Sequence, residues 1–128
     1  MVHAIEITNL SKNYGRIQAL KDVSLSIDEG EVFGLIGPDG AGKTTLFRIL
    51  ATLILPDAGI ATVDGYDVMR QMSQIRSRVG YMPGKFSLYQ DLSVQENLEF
   101  FAILFGTTVD EGYNLIRPIY SLDRKSVV

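Results

Sequence analysis

Apolar and polar residues alternate along the first quarter of the chain, and helical spacing appears only beyond residue 43. Val2, Ile5 and Ile7 predict a first strand over 2–8, and the polar stretch 9–15 predicts a turn. Val23, Leu25 and Ile27 alternate with Ser24, Ser26 and Asp28, the pattern of a half-buried strand with one wet face. After an acidic turn at 28–31, residues 32–36 form a continuous apolar run, as in a strand buried on both faces.

Leu46, Phe47, Ile49, Leu50 and Leu53 then recur at helical spacing, and the helix they predict runs to the stop at Pro56. A brief strand at 60–63 closes on the turn dipeptide Asp64-Gly65. A short helix over 67–77 and a strand over 79–82 follow, the latter ended by Pro83-Gly84. Met69 and Met72 are expected in its core, and Arg70, Arg76 and Arg78 on a solvated face. Ser93-Val94-Gln95-Glu96 has the form of a capping box, which starts a helix reaching Phe105 and stopping at Gly106. A last helix is expected over 110–120, broken by Pro118. There is no repeat, low-complexity tract or linker.

Composition narrows the chemistry. The 128 residues carry a net charge of −3, which disfavours a general nucleic-acid binder. The sequence has no cysteine, so disulfides, thiolate metal sites and thiol nucleophiles are excluded. His3 is the single histidine, which excludes a histidine-based triad within the chain, and its alternating context reads as sheet surface. The start of the chain lacks a basic stretch followed by an apolar one, so a cytosolic product is expected. The apolar stretches near 49–55 and 100–105 are far too short to span a bilayer.

Residues 37–42 cannot form helix or strand, and they open a motif. Gly37-Pro38-Asp39-Gly40-Ala41-Gly42-Lys43-Thr44 matches G-x-x-x-x-G-K-[ST] at every fixed position, between an apolar run and an amphipathic helix. Its glycines let the backbone curl so that successive N–H groups face one anion-sized hollow, and the helix start adds positive dipole. Lys43 supplies a full charge for the β- and γ-phosphates of a nucleotide, and the Thr44 hydroxyl is placed to ligate Mg²⁺. The competing reading is a glycine-rich turn with a solvated lysine; the strand–loop–helix context weighs against it. A dinucleotide fingerprint is disfavoured because no G-x-G-x-x-G can be read here.

Around this loop the chain resembles the ATP-binding domain of ABC transporters. Asn13-Tyr14-Gly15-Arg16 and Ala19-Leu20-Lys21-Asp22-Val23-Ser24-Leu25 are similar to that family's opening hairpin, and residues 37–45 to its Walker A motif. Pro56-Asp57-Ala58-Gly59, Val63-Asp64-Gly65-Tyr66-Asp67-Val68, Tyr81-Met82-Pro83 and Asp91-Leu92-Ser93-Val94-Gln95-Glu96-Asn97-Leu98 extend the resemblance to about residue 105.

The resemblance implies an α/β fold of the P-loop NTPase, ABC-ATPase type. It implies an antiparallel β subdomain and P-loop core over 1–92, then the start of a helical subdomain over 93–128. It implies ATP and Mg²⁺ as cofactors. Nucleotide would be held by Gly37, Pro38, Asp39, Gly40, Ala41, Gly42, Lys43, Thr44 and Thr45, with Lys43 as the catalytic residue and Thr44 as the metal ligand. Tyr14 stands where the family places the aromatic that stacks on adenine. The implied partners are a membrane permease subunit, met through the loop 84–89 with Phe86, Leu88 and Tyr89, and a second ATPase subunit. The location implied is the cytoplasmic face of the membrane.

The chain departs from the family pattern at Gly84, where a glutamine is expected. No apolar run ends in Asp-Glu, no Leu-Ser-Gly-Gly-Gln follows, and there is no late histidine. Asp64 ends an apolar strand, but Gly65 after it makes a turn aspartate the better reading. The expectation is the first half of a longer ATPase domain, whose 32–36 strand lacks partners and whose open edge favours aggregation. A soluble ABC-family ATPase and a nucleotide-binding regulator without turnover are the alternatives.

Overall fold

A computed structural model describes residues 3–85 and 88–118, which divide between Met82 and Pro83 into two compact units. The first unit is built on a long antiparallel hairpin, β1 (His3–Tyr14) and β2 (Ile17–Asp28), turned at Gly15 with φ 58°. β3 (Ala58–Val63) pairs with the other side of β1, and β4 (Tyr66–Asp67) with β3, giving the order β2-β1-β3-β4. Residues 9–14 belong to β1, where a turn was expected. The register shifts between Ile7 and Leu10, and Asn9 sits there at φ 49° with its N–H donating to Ser24 Oγ at 2.8 Å. A bulge of this kind breaks the period-two pattern without ending the strand.

One face of the sheet packs on two helices, α1 (Lys43–Leu50) and α2 (Met72–Arg76). Ile7, Leu10, Leu20, Ala61 and Val63 bury against Leu46, Ile49, Leu50, Val68 and Ile75. Helix α1 stops well before Pro56. Thr52 turns the chain at φ 60°, and the Arg76 guanidinium closes this end by donating to Thr52 Oγ1 at 2.8 Å and its carbonyl at 3.0 Å. Arg78 pairs with the Asp64 carboxylate at 3.0 Å and covers the Tyr66 ring. Arg70, Arg76 and Arg78 are exposed, as expected of a solvated face, and Arg76 and Arg78 also tie parts of the fold together. Asp64 is a turn residue, with its N–H on the Ala4 carbonyl. Met69 is exposed rather than in the core.

Residues 32–36 form no ladder, contrary to the strand expected there, and 79–82 form none either. Val32 is 99% and Ile36 97% exposed. A strand is a property of two chains of backbone, and no described segment lies alongside to pair with this one. Phe33 and Leu35, with Leu46, Leu50, Val63 and Val79, line an open cleft of about 310 Å³.

The second unit contains α3 (Val94–Leu104) and α4 (Val109–Ile116). The Ser93 box forms as expected: Glu96 N–H donates to Ser93 Oγ at 3.2 Å, and Ser93 N–H to Glu96 Oε2 at 2.7 Å. The helix ends at Gly106 with φ 66°. A second box, Thr108 with Glu111, starts α4. Asn97 is buried and accepts the Tyr89 N–H at 2.9 Å while donating to the Tyr89, Leu92 and Ser93 carbonyls. No helix among the described residues is long and apolar enough to cross a membrane.

Candidate functional site: the phosphate-binding loop

The loop 37–42 carries the chain from the exposed apolar segment into α1. Gly40 and Gly42 lie at φ 82° and 94°, in the left-handed region that L side chains avoid. Gly42 has a second constraint, because a Cβ there would fall 2.2 Å from the Ala19 carbonyl oxygen on β2. The glycine thus seats the loop directly on the hairpin. Pro38 accepts the Ala41 N–H at 3.2 Å, which closes the turn through Asp39 and Gly40. The N–H groups of Gly40, Gly42, Lys43, Thr44 and Thr45 have no protein acceptor among the described residues.

Helix α1, like α2 and unlike α3 and α4, starts without a side-chain cap. α3 and α4 have Ser93 and Thr108 as caps with a glutamate in the first turn, whereas α1 begins at Gly42 with no side-chain cap and no acidic residue there. Its free N–H groups and positive dipole end are left for a ligand. Lys43 Nζ donates to the Gly37 and Pro38 carbonyls, the latter at 2.8 Å. Those carbonyls are neutral acceptors, so an arriving phosphate oxygen offers the ammonium a stronger, charge-assisted bond. The Thr44 side chain is exposed and has no protein partner among the described residues, which leaves its hydroxyl open to a cation. These features fit a phosphate chain with its cation. Asp39 is exposed at the rim.

Tyr14 closes one side of the site. It lies at the tip of β1, 44% exposed, and its hydroxyl is 3.4 Å from Thr45 Oγ1 in the first turn of α1. The hairpin tip and the phosphate loop are thereby brought together. Two residues that sequence reasoning missed stand behind Tyr14. Lys12 Nζ lies 5.7 Å from the Tyr14 ring centroid and pairs with Asp57 Oδ1 at 3.3 Å. The Asn13 N–H donates to Asp57 Oδ2 at 2.6 Å, and this bond, with Lys12 beside it, holds the Asp57 carboxyl below its ordinary value. No local pattern announces a pair 45 positions apart.

In the second unit, Gly84, Leu88 and Tyr89 are exposed, and Tyr89 packs edge-on against Phe100 with ring centroids 5.1 Å apart. Phe86 lies outside the described residues. A Cβ at Gly84 meets nothing within 4 Å, so the position tolerates a side chain although the chain has none. Among the described residues no three acidic or histidine side chains gather to hold a metal.

The ABC transporter family model matches residues 20–126. The chain is 42% identical over 102 residues to the probable multidrug ABC transporter ATP-binding protein YbhF of Escherichia coli, covering 80% of this chain and 18% of that protein. It is 43% identical over 91 residues to the ABC transporter ATP-binding protein NatA of Bacillus subtilis, covering 70% of this chain and 37% of the relative. Among solved structures, the dimeric structure of a bacterial ABC transporter cassette superposes with a TM-score of 0.80 at 26% identity, covering 96% of this chain and 60% of that one. The ATP-binding subunit of an ABC transporter gives 0.75 at 30% identity, covering 90% and 48%. The chain thus spans well under half the length of these curated relatives. With the phosphate loop, the opening hairpin and the family match in agreement, the chain belongs to the ABC transporter ATP-binding family, with the fold of the N-terminal portion of its ATPase domain.

Proposed function

We propose that this chain is the nucleotide-holding part of an ABC transporter ATPase subunit, which couples ATP binding and hydrolysis to transport across a membrane. The observation that carries the reading is the uncapped start of α1. Unspent N–H groups, two glycines in left-handed conformation and the Lys43 ammonium converge there on a space with no protein acceptor of full charge. ATP with Mg²⁺ would supply the phosphoanhydride and the cation that neutralises it. The backbone of 37–45 cradles the phosphates, Lys43 exchanges two carbonyls for phosphate oxygens, Thr44 offers its hydroxyl to the metal, and Tyr14 presents its ring to the adenine. A related cassette has been solved with ADP and Pi bound, at 31% identity over 79% of this chain, which supports a nucleotide as the ligand.

The chain contributes the cradle and not the base. No apolar strand ending in Asp-Glu occurs in it, so activation of the attacking water needs a carboxylate from elsewhere. In the assembled transporter, Leu88 and Tyr89 on the loop 84–89 are the contact for a permease subunit, and a second ATPase subunit faces the site. A position on the cytoplasmic side of the membrane goes with this reading. The relatives' description as transporter ATP-binding proteins, and the dimeric form of one solved cassette, support these partners. Titration of the Lys43→Ala variant with ATP tests the reading: affinity should fall about tenfold or more, the usual worth of a charge-assisted bond.

A further inference from the structure

We propose that Asp57 is a positioning residue for the base platform: it sets the ring of Tyr14 by holding the three residues that precede it. The inference rests on the reading of Tyr14 as the adenine-stacking ring and adds a residue to it. Asp57 follows α1 and lies just ahead of β3, far from Tyr14 in sequence, yet it contacts Ser11, Lys12 and Asn13 in turn. Its own N–H donates to the Ser11 carbonyl at 2.9 Å. Its carboxylate takes the Lys12 ammonium on one oxygen at 3.3 Å and the Asn13 N–H on the other at 2.6 Å.

Each contact acts on the ring. The Asn13 bond fixes the Lys12–Asn13 peptide, one unit ahead of the peptide that carries Tyr14. The Lys12 bond holds a cation 5.7 Å from the ring centroid, where it attracts the ring's negative face. The Tyr14 hydroxyl meets Thr45 at the opposite end. The ring is thus held through the backbone ahead of it, on a face and at its tip, and Asp57 supplies the first two. A stacking platform with two free χ angles loses ordering entropy each time a base arrives, and a ring already held loses less. Lys12 is 16% exposed along its side chain, so its stem is largely packed against the fold.

The test compares ATP with inorganic triphosphate as ligands of the 128-residue chain, because triphosphate reads the phosphate loop alone. For the unaltered chain ATP should bind more tightly, and Tyr14→Ala should abolish the difference. Asp57→Ala should shrink the preference for ATP by about threefold to tenfold while leaving triphosphate affinity unchanged. Asp57→Asn keeps an acceptor for Asn13 but loses the charge facing Lys12, and should fall between the two. A merely structural role would weaken both ligands together. If Tyr14→Ala removes the preference and neither Asp57 variant alters it, the assignment of Asp57 is overturned and the platform stands. If the unaltered chain shows no preference, the platform reading fails and takes this assignment with it.

Discussion

The hydroxyl of Tyr14 lies 3.4 Å from Oγ1 of Thr45, so the tip of the β1–β2 hairpin touches the first turn of the helix that follows the phosphate loop. These residues are 31 positions apart, and the contact brings two separate motifs together. Thr45 serves it in two ways. Its buried hydroxyl faces the tyrosine, and its N–H stays without a protein acceptor, available to the ligand.

Gly42 joins the loop to β2 by close approach, and substitution there should be costly. Gly42→Ala would combine a left-handed φ of 94° with a methyl group 2.2 Å from the Ala19 oxygen. Backbone of both elements would have to move, so a loss of about 3 kcal/mol or more in stability is expected. Urea denaturation should show the midpoint drop sharply. Gly65→Ala, which meets nothing within 4 Å, is the control for positive φ alone and should cost about 1 kcal/mol.

The apolar segment 32–36 should make the 128-residue chain self-associate. Val32 and Ile36 lie bare beside a cleft lined by Phe33, Leu35 and Leu46, and their backbone is unpaired. Such an edge invites pairing with other chains. Light scattering after size exclusion should give oligomers that grow with concentration, and Val32→Lys with Ile36→Lys should reduce them. A sharp monomer that melts cooperatively would contradict this account of the edge.

Acid should loosen the second unit at its helix starts. Glu96 is held below its ordinary value first by the Ser93 N–H and then by the Ser93 hydroxyl. Glu111 is held low first by the Thr107 hydroxyl and then by the Thr108 N–H. A carboxylate whose folded pKa is depressed stabilises the fold above its unfolded pKa, and the contribution disappears as pH falls through the folded value. Helicity followed by circular dichroism should therefore fall with pH below the ordinary carboxylate range. Glu96→Gln with Glu111→Gln should flatten that dependence; an unchanged acid profile would contradict the caps' role.

Local chemistry was legible where a few adjacent residues determine it. The glycines at 40 and 42, Lys43 and Thr44 announce their loop because the backbone needs those residue types there. Ser93 with Glu96 announces α3 for the same reason. Thr108 with Glu111 carries the same signal, and it starts α4 at Val109, one residue ahead of the start expected from spacing. The 32–36 strand was misread because apolar character predicts burial only when a partner is present to cover it. Asn9 hid the continuation of β1 behind a bulge. Lys12 and Asp57 were invisible because sheet pairing, and nothing local, brings them together.

The most direct measurement is a calorimetric titration of the chain and its Lys43→Ala variant with Mg-ATP. Saturable binding by the unaltered chain, weakened about tenfold or more by loss of the ammonium, is the predicted result. Equal affinity in both proteins would contradict the assignment of this loop as the phosphate cradle.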